Sequence, residues 1–279
     1  MSPYPEKEPK SEQFVSELTG LNLEALSALA ASQDYHSDGP WLSTAAQDLL
    51  FGLGSGSRPG RFGLGGGASA ELEQAGLVTA RGRLTGQGRL VTSVLENTEA
   101  SFVISGGFRS ARTSLQCVLG PEGILVLAGP SCASLRNGTD LAGVRQLDFL
   151  SMDQLPPALA AWTGIGPGWA LDGTGTPTAE QLQARMNGAA ADAVPPPVDA
   201  DAVMQHMWAQ DWFIWQANGS GPGLPTGIQA GPAGTWKITR TPEGPVLGAW
   251  PSGAAYRSLL DFLAAAMAAG PADRQRAQR

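Results

Sequence analysis

Apolar residues first recur at helical spacing near the N-terminus, where Leu18, Leu21, Leu26 and Leu29 lie on or near one face of a helix predicted over 13–31. The polar lead at 1–12 predicts disorder. A second helix is predicted over 41–51 and gives way to GLGSGSRPGRFGLGGG at 52–67, whose seven glycines from Gly54 to Gly67 predict a flexible loop. Helices follow at 68–76 and 85–97, the second capped by Thr85. From about residue 101 the period shortens to that of strands. SFVIS reads as a short strand, and TSLQCVLGPEGILVLAG as two strands joined at Pro121, Glu122 and Gly123. VRQLDFL at 144–150 predicts a further strand and MDQLPPALAAW a short helix, before a Gly- and Pro-rich linker over 164–177.

The second half replays this order. Helices are predicted at 178–189 and 199–217 around VPPP, then a hairpin in GTWKITRTPEGPVLGAW turning at Pro242, Glu243 and Gly244. A closing helix runs from Ser252 to Ala269 and is stopped by Gly270 and Pro271. The two Pro-Glu-Gly triplets fall 121 positions apart, each hairpin following a helix and preceding another. This predicts a duplicated helix, helix, meander, helix unit, with halves at 13–163 and 178–270 and a basic tail at 271–279. The fold class is α+β: a pseudo-two-fold composite domain whose central antiparallel sheet is flanked by two helical bundles. Chance recurrence of a favoured turn is the other reading of the triplets.

Composition narrows the function. With 279 residues and 42% apolar content the chain can bury a sizeable core, and its net charge is −7. Fifteen arginines accompany only Lys7, Lys10 and Lys237, and the acidic balance argues against a dedicated nucleic-acid binder. Cys117 and Cys132 form neither a disulfide framework nor a zinc-site spacing, which predicts cytoplasmic residence. MSPYPEKEPKSEQF has no apolar signal region, and no run is long enough for a membrane helix.

Candidate chemistry is sparse. His36 precedes the turn-forming SDGPW, and His206 sits between Met204 and Met207 at packing positions. Two histidines and two distant cysteines assemble no metal site, so no metal or cofactor is expected. In LVLAGPSCASL a strand runs into Ser131, as at a nucleophile elbow, and Ala133 supplies the small residue such an elbow needs. Pro130 and the poor helix after it favour an ordinary strand-end turn; a hydrolase would have to combine Ser131 with His206 and a carboxylate. GLGGGA at 63–68 fits a dinucleotide pattern by letter but follows no strand, and no lysine lies between Lys10 and Lys237 to serve a phosphate loop.

LEQAGLVTARGRLTGQGRLVTSVL at 72–95 offers one alternative. From Arg58 to Arg112 the chain carries Arg58, Arg61, Arg81, Arg83, Arg89, Arg109 and Arg112 against Glu71, Glu73, Glu96 and Glu99. A winged-helix regulator would read bases through Thr85, Gln87 and Arg89 before LVTSVL turns apolar. The aromatic concentration at 199–217 is the other departure from randomness. Val203, Met204, Met207, Trp208, Asp211, Ile214 and Trp215 define one helical face, with Trp212 and Phe213 off it, so the segment is either sandwiched between layers or offers a docking surface.

The order of elements resembles the EspG-like family of type VII (ESX) secretion-associated proteins. LEQAGLVTARGRLTGQGRLVTSVL, the meander after it, and WKITRTPEGPVLGAWPSGAAYRSLLDFLAAAM as terminal hairpin and helix carry the resemblance, over most of residues 40–269. It implies a cytosolic, non-enzymatic chaperone or adaptor that binds helical secretion substrates of the PE/PPE or WXG100-like classes and shields their aggregation-prone tips. The glycine-rich stretch at 52–67, the charged N-terminal lead and ADRQRAQR depart from the family pattern. Such shielding needs aromatic anchors and a closing loop, which places the expected contacts at Trp212, Phe213 and Trp236, with Arg58, Arg61 and Phe62 closing over the partner.

Overall fold

The computed structural model describes residues 35–54, 66–139, 141, 143–166, 172–218, 224–241 and 244–268. The lead at 1–12, the helix predicted over 13–31, most of the glycine-rich stretch and the tail at 271–279 lie outside them. The first half contains β1 (Trp41–Ser43), α1 (Thr44–Gly54), α2 (Gly67–Gln74), α3 (Gly86–Glu96), β2 (Ala100–Phe108), β3 (Ala111–Gly120), β4 (Gly123–Ala128), α4 (Cys132–Arg136), β5 (Val144–Leu150) and α5 (Leu155–Thr163). The second contains α6 (Ala179–Met186), α7 (Ala202–Trp208), β6 (Phe213–Asn218), β7 (Thr226–Gln229), β8 (Thr235–Thr241), β9 (Gly244–Ala249) and α8 (Ser252–Ala268), with a 3₁₀ turn at Gly231–Ala233.

Several boundaries have local causes. Thr85 caps α3, its side chain accepting from the Gly88 N–H while its hydroxyl donates to Gly76 O, and Thr178 with Gln181 forms a capping box on α6. Alternation in ASFVISGGF produces β2, with Ala100, Phe102, Ile104 and Phe108 inward and Ser101 and Ser105 exposed.

Two predicted helices are corrected. The one expected over 41–51 opens instead with β1, which pairs with β5. The one expected over 199–217 stops at Trp208, and Phe213–Asn218 is strand β6. Trp208 packs edge-on against Trp212 at 5.1 Å where the helix ends, and beyond it Phe213, Trp215 and Ala217 alternate inward at strand period. Pairing of β6 with β2 decides the outcome, matching Phe108 with Phe213 and Val103 with Asn218.

All nine strands form one antiparallel sheet in the order β1-β5-β4-β3-β2-β6-β7-β8-β9. The architecture is therefore mixed α+β, with eight α-helices among the described residues. Strands β2 to β5 and β6 to β9 each lie in sequential order, and the two sets meet through their first strands. The Pro-Glu-Gly triplets do not mark equivalent turns. The first joins the second and third strands of its set, whereas Gly244 opens the fourth strand of the other.

Three apolar clusters hold the layers together. One face of the sheet buries Phe102, Ile104, Leu115, Cys117, Phe213 and Trp215 beneath α5 and α8, which supply Leu159, Trp162, Leu259 and Phe262. On the opposite face α1 to α3 cover Val118, Leu125, Leu127 and Leu147 in the first half. Also on that face, α6 and α7 cover Ile228, Trp236, Ile238 and Leu247 in the second half. Edge strand β9 contains Pro245, whose missing N–H costs no ladder bond if directed outward; Trp250 N–H donates to Thr235 O, which sets the inward-facing alternation on the even-numbered residues. Among the described residues no helix is long and apolar enough to cross a membrane.

A strap links the helices of the second half. Thr174 donates through both its N–H and its hydroxyl to Asp201 Oδ2, and Thr176 does the same to the Asp199 carboxylate. Backbone N–H donors, with the threonine hydroxyls, hold both carboxyls below the ordinary carboxylate range. A depressed native pKa contributes stability above the unfolded value that is lost as pH falls through the native one. An Asp201→Asn variant should therefore melt below wild type at neutral pH, and the difference should begin to shrink near the unfolded value of about pH 4 and close only below the depressed native value, where both proteins carry a neutral side chain. Thermal melts across that range check it; a gap that persists at acid pH contradicts the assignment.

Candidate docking surface

Among the described residues, the two helix groups on the second face leave the centre of the sheet uncovered. There β2 presents Ser101, Val103, Ser105 and Gly107, and β6 presents Ile214, Gln216 and Asn218. The register sets Val103 against Asn218 and Ser105 against Gln216, while β3 adds Gln116 opposite Val103 and Ser114 opposite Ser105. Ser101, Ser105 and Gln216 are exposed, and the others are half-buried. Asn218 Nδ2 donates to Ser105 Oγ at 2.8 Å, fixing the centre of this floor across the junction of the two strand sets.

The geometry suits one secondary-structure element. Strands lie about 4.8 Å apart, so the span from β3 to β7 is roughly 14 Å, enough for one helix of about 10 Å diameter between flanking walls. The named floor residues carry no formal charge; charge enters at Arg112, opposite Gly107, and at Arg145, whose guanidinium donates to Gln116 Oε1 at 3.4 Å. Serine, glutamine and asparagine side chains here can donate and accept, which suits exposed backbone or polar side chains at the end of a partner helix.

At the hairpin end of this floor, arginines hold the halves together. Arg109 sits at φ 52° in the two-residue turn between β2 and β3 and pairs with Asp211 at 2.6 Å. Gly188 (φ 92°) abuts that turn: a side chain there would place its Cβ 2.0 Å from Arg109 O. Arg136 donates to Asp211 O and Gln229 O and lies 5.6 Å over the Phe108 ring.

The expected aromatic contacts are corrected by their positions. Trp212, Phe213 and Trp236 are 4%, 0% and 1% exposed and belong to the core clusters, so they present no surface to a partner. The Trp212 and Trp236 indole N–H groups donate to Met207 O and Ala233 O, respectively. Arg58, Arg61 and Phe62 lie outside the described residues. The sequence does not single out the polar floor residues, because Ser101, Ser105, Gln216 and Asn218 are each ordinary polar residues in their own strands. Only the alternation of serine with apolar residues in ASFVIS hinted at an exposed face.

The catalytic candidates are not brought together. Ser131 is buried and caps α4, accepting from Ser134 N–H, with its Oγ 3.0 Å from that of Ser134. His206 is exposed on α7, His36 is exposed before β1, and neither is hydrogen-bonded to Ser131. Burial pushes the Cys117 thiol well up, which makes it a poor nucleophile. Among the described residues no group of three or more His, Cys, Asp or Glu could hold a metal ion.

In the 72–95 segment, Val78 and Leu84 form a single bridge around a turn bearing exposed Arg81 and Arg83, and exposed Arg89 donates to Leu84 O. Compared with known proteins, the chain matches no family model and no curated protein.

Proposed function

We propose that this chain is a non-enzymatic adaptor that receives a helical segment of a partner protein on the open sheet face. The observation that carries this reading is the uncharged polar strip of β2 and β6, one helix wide, left between two helix groups. A cytoplasmic role in type VII secretion, with PE/PPE or WXG100-like substrates, rests on the resemblance to the EspG-like family. The duplication is part of the same proposal. Its support is the recurrence of two helices, four sequential strands and a helix, as α2, α3, β2 to β5 and α5, then α6, α7, β6 to β9 and α8.

The test places charge and bulk on the floor without touching the core. Exposed Ser105 and Gln216 face each other across the β2–β6 pair, so a Ser105→Arg, Gln216→Arg double variant should fold normally. A nuclease-treated pull-down at physiological salt should recover a helical partner with wild type, and binding by the variant should fall about 100-fold, given two uncompensated buried charges. Equal capture by both proteins overturns the proposed surface. The second reading, a winged-helix regulator, draws on exposed Arg81, Arg83 and Arg89. It gains support if the captured material is nucleic acid, released by salt and lost in an Arg83→Ala, Arg89→Ala variant.

A further inference from the structure

A cavity of about 540 Å³ lies at the end of the sheet where α8 finishes, large enough to take a side chain or a short stretch of chain. Its apolar base is the margin of the main core: Ala100 at the start of β2, Ile124 near the start of β4 and Leu150 at the end of β5. Met152, after β5, and Met267, in the last turn of α8, also line it and are 46% and 50% exposed. Methionine side chains are flexible and polarisable, and they adapt to occupants of irregular shape.

The rim is negative. Glu99, just before β2, and Glu122, in the turn between β3 and β4, both line the cavity and are exposed. Neither carboxylate has a hydrogen-bond or ion-pair partner among the described residues. Helix α8 adds the negative end of its dipole, because the last carbonyls of a helix lack intrahelical donors and no basic residue lies in its last turn. None of the described lining residues is Lys, Arg or His.

The complementary charge follows directly along the chain. Ala268 is one residue beyond Met267, and the sequence continues as AGPADRQRAQR, in which Arg274, Arg276 and Arg279 outnumber Asp273. Gly270 and Pro271 are residues that end a helix. Six residues lead from Ala268 to Arg274, a reach of about 20 Å when extended, against roughly 10 Å across a sphere of the cavity's volume. An arginine suits both parts of the cavity, since its aliphatic stem packs on apolar side chains while its guanidinium pairs with a carboxylate. We propose that this cavity takes the chain's own C-terminal tail, with its arginines on Glu99 and Glu122 and their stems against Met152 and Met267. The cavity shares no residue with the docking floor and does not depend on the adaptor reading.

The test uses the full chain, isotope-labelled at its methionine methyl groups and carrying a nitroxide at Gln278→Cys; Cys117 and Cys132 are buried and should stay unmodified. The nitroxide should broaden the Met152 methyl strongly and leave Met204 and Met207, buried on α7, sharp. A Glu99→Lys, Glu122→Lys variant, altered only at exposed positions, should lower the relaxation enhancement at Met152 about fivefold, the scale of two surface ion pairs. Adding Arg274→Glu and Arg276→Glu to that variant should restore it, whereas those two changes alone, made outside the described fold, should give the same fall as the cavity variant. The proposal is overturned if Met152 stays sharp in the parent chain, or if it is broadened equally in the Glu99→Lys, Glu122→Lys and Arg274→Glu, Arg276→Glu variants. It is also overturned if the broadening is as large when nitroxide and isotope are on separate chains in a mixture, which would place the tail on a second copy.

Discussion

Replacing Arg185 by alanine should lower the unfolding free energy by about 3–5 kcal/mol, since two buried carbonyls each lose their donor at about 1–3 kcal/mol apiece and the packing of the side chain is lost as well. Arg185 is 3% exposed at the end of α6. Its guanidinium donates to three backbone carbonyls, those of Ala189, Trp208 and Gln210, and lies 4.5 Å from the Trp212 ring centroid. These contacts tie α6 to the chain that leaves α7 and enters β6. Burial lowers the Arg185 pKa, and Asp211 opposes that shift. Alanine leaves the carbonyls of Trp208 and Gln210 without their donor and opens space beside two indoles. Lysine keeps the charge but cannot reproduce a fork spanning three acceptors, so Arg185→Lys should recover only part of the loss. Urea unfolding checks both variants; a midpoint within experimental error of wild type for Arg185→Ala contradicts this account.

Trp162→Ala is expected to have an effect of similar size, about 3–5 kcal/mol, by a different mechanism. Trp162 is fully buried on α5 between helix and sheet, where its indole N–H donates to Gly129 O at 2.8 Å. Its ring meets Phe213 edge-on at 6.0 Å. Gly106 in β2 makes room for this contact, because a Cβ there would lie 2.8 Å from Phe213 Cζ and 3.1 Å from Trp162 Cη2. The Trp162–Phe213 contact joins the first half to β6, so the cavity left by alanine falls on the junction of the two strand sets. Trp162→Phe keeps most of the apolar volume and loses the hydrogen bond to Gly129, and should cost about 1–2 kcal/mol. A loss equal to that of alanine would show that the hydrogen bond, not packing, dominates at this position.

Local pattern determined a large part of this chain. Thr85 ahead of an amphipathic run is enough to start α3, because the side-chain cap satisfies an end donor wherever the helix packs. Pro121, Glu122 and Gly123 between two apolar runs give β3 and β4, since the turn fixes which residues face each other. The α+β class follows from the change of period between these segments. The repeated Pro-Glu-Gly was legible too, but as a turn preference it does not say which strands it joins, and the two copies join different ones.

Tertiary structure decided what is non-local. FIWQAN satisfies a helical face extended from VMQHMW as well as a strand, because six residues barely separate a period of 3.6 from one of 2. It became β6 through pairing with β2, over 100 positions away in the chain. That pairing also reversed the reading of the aromatics. Tryptophans that suggested a docking surface are the apolar filling between sheet and helices, and the surface left open is made of Ser101, Ser105 and Gln216. No local signal marks those three as neighbours, since which strand face stays uncovered depends on where helices from distant segments come to rest.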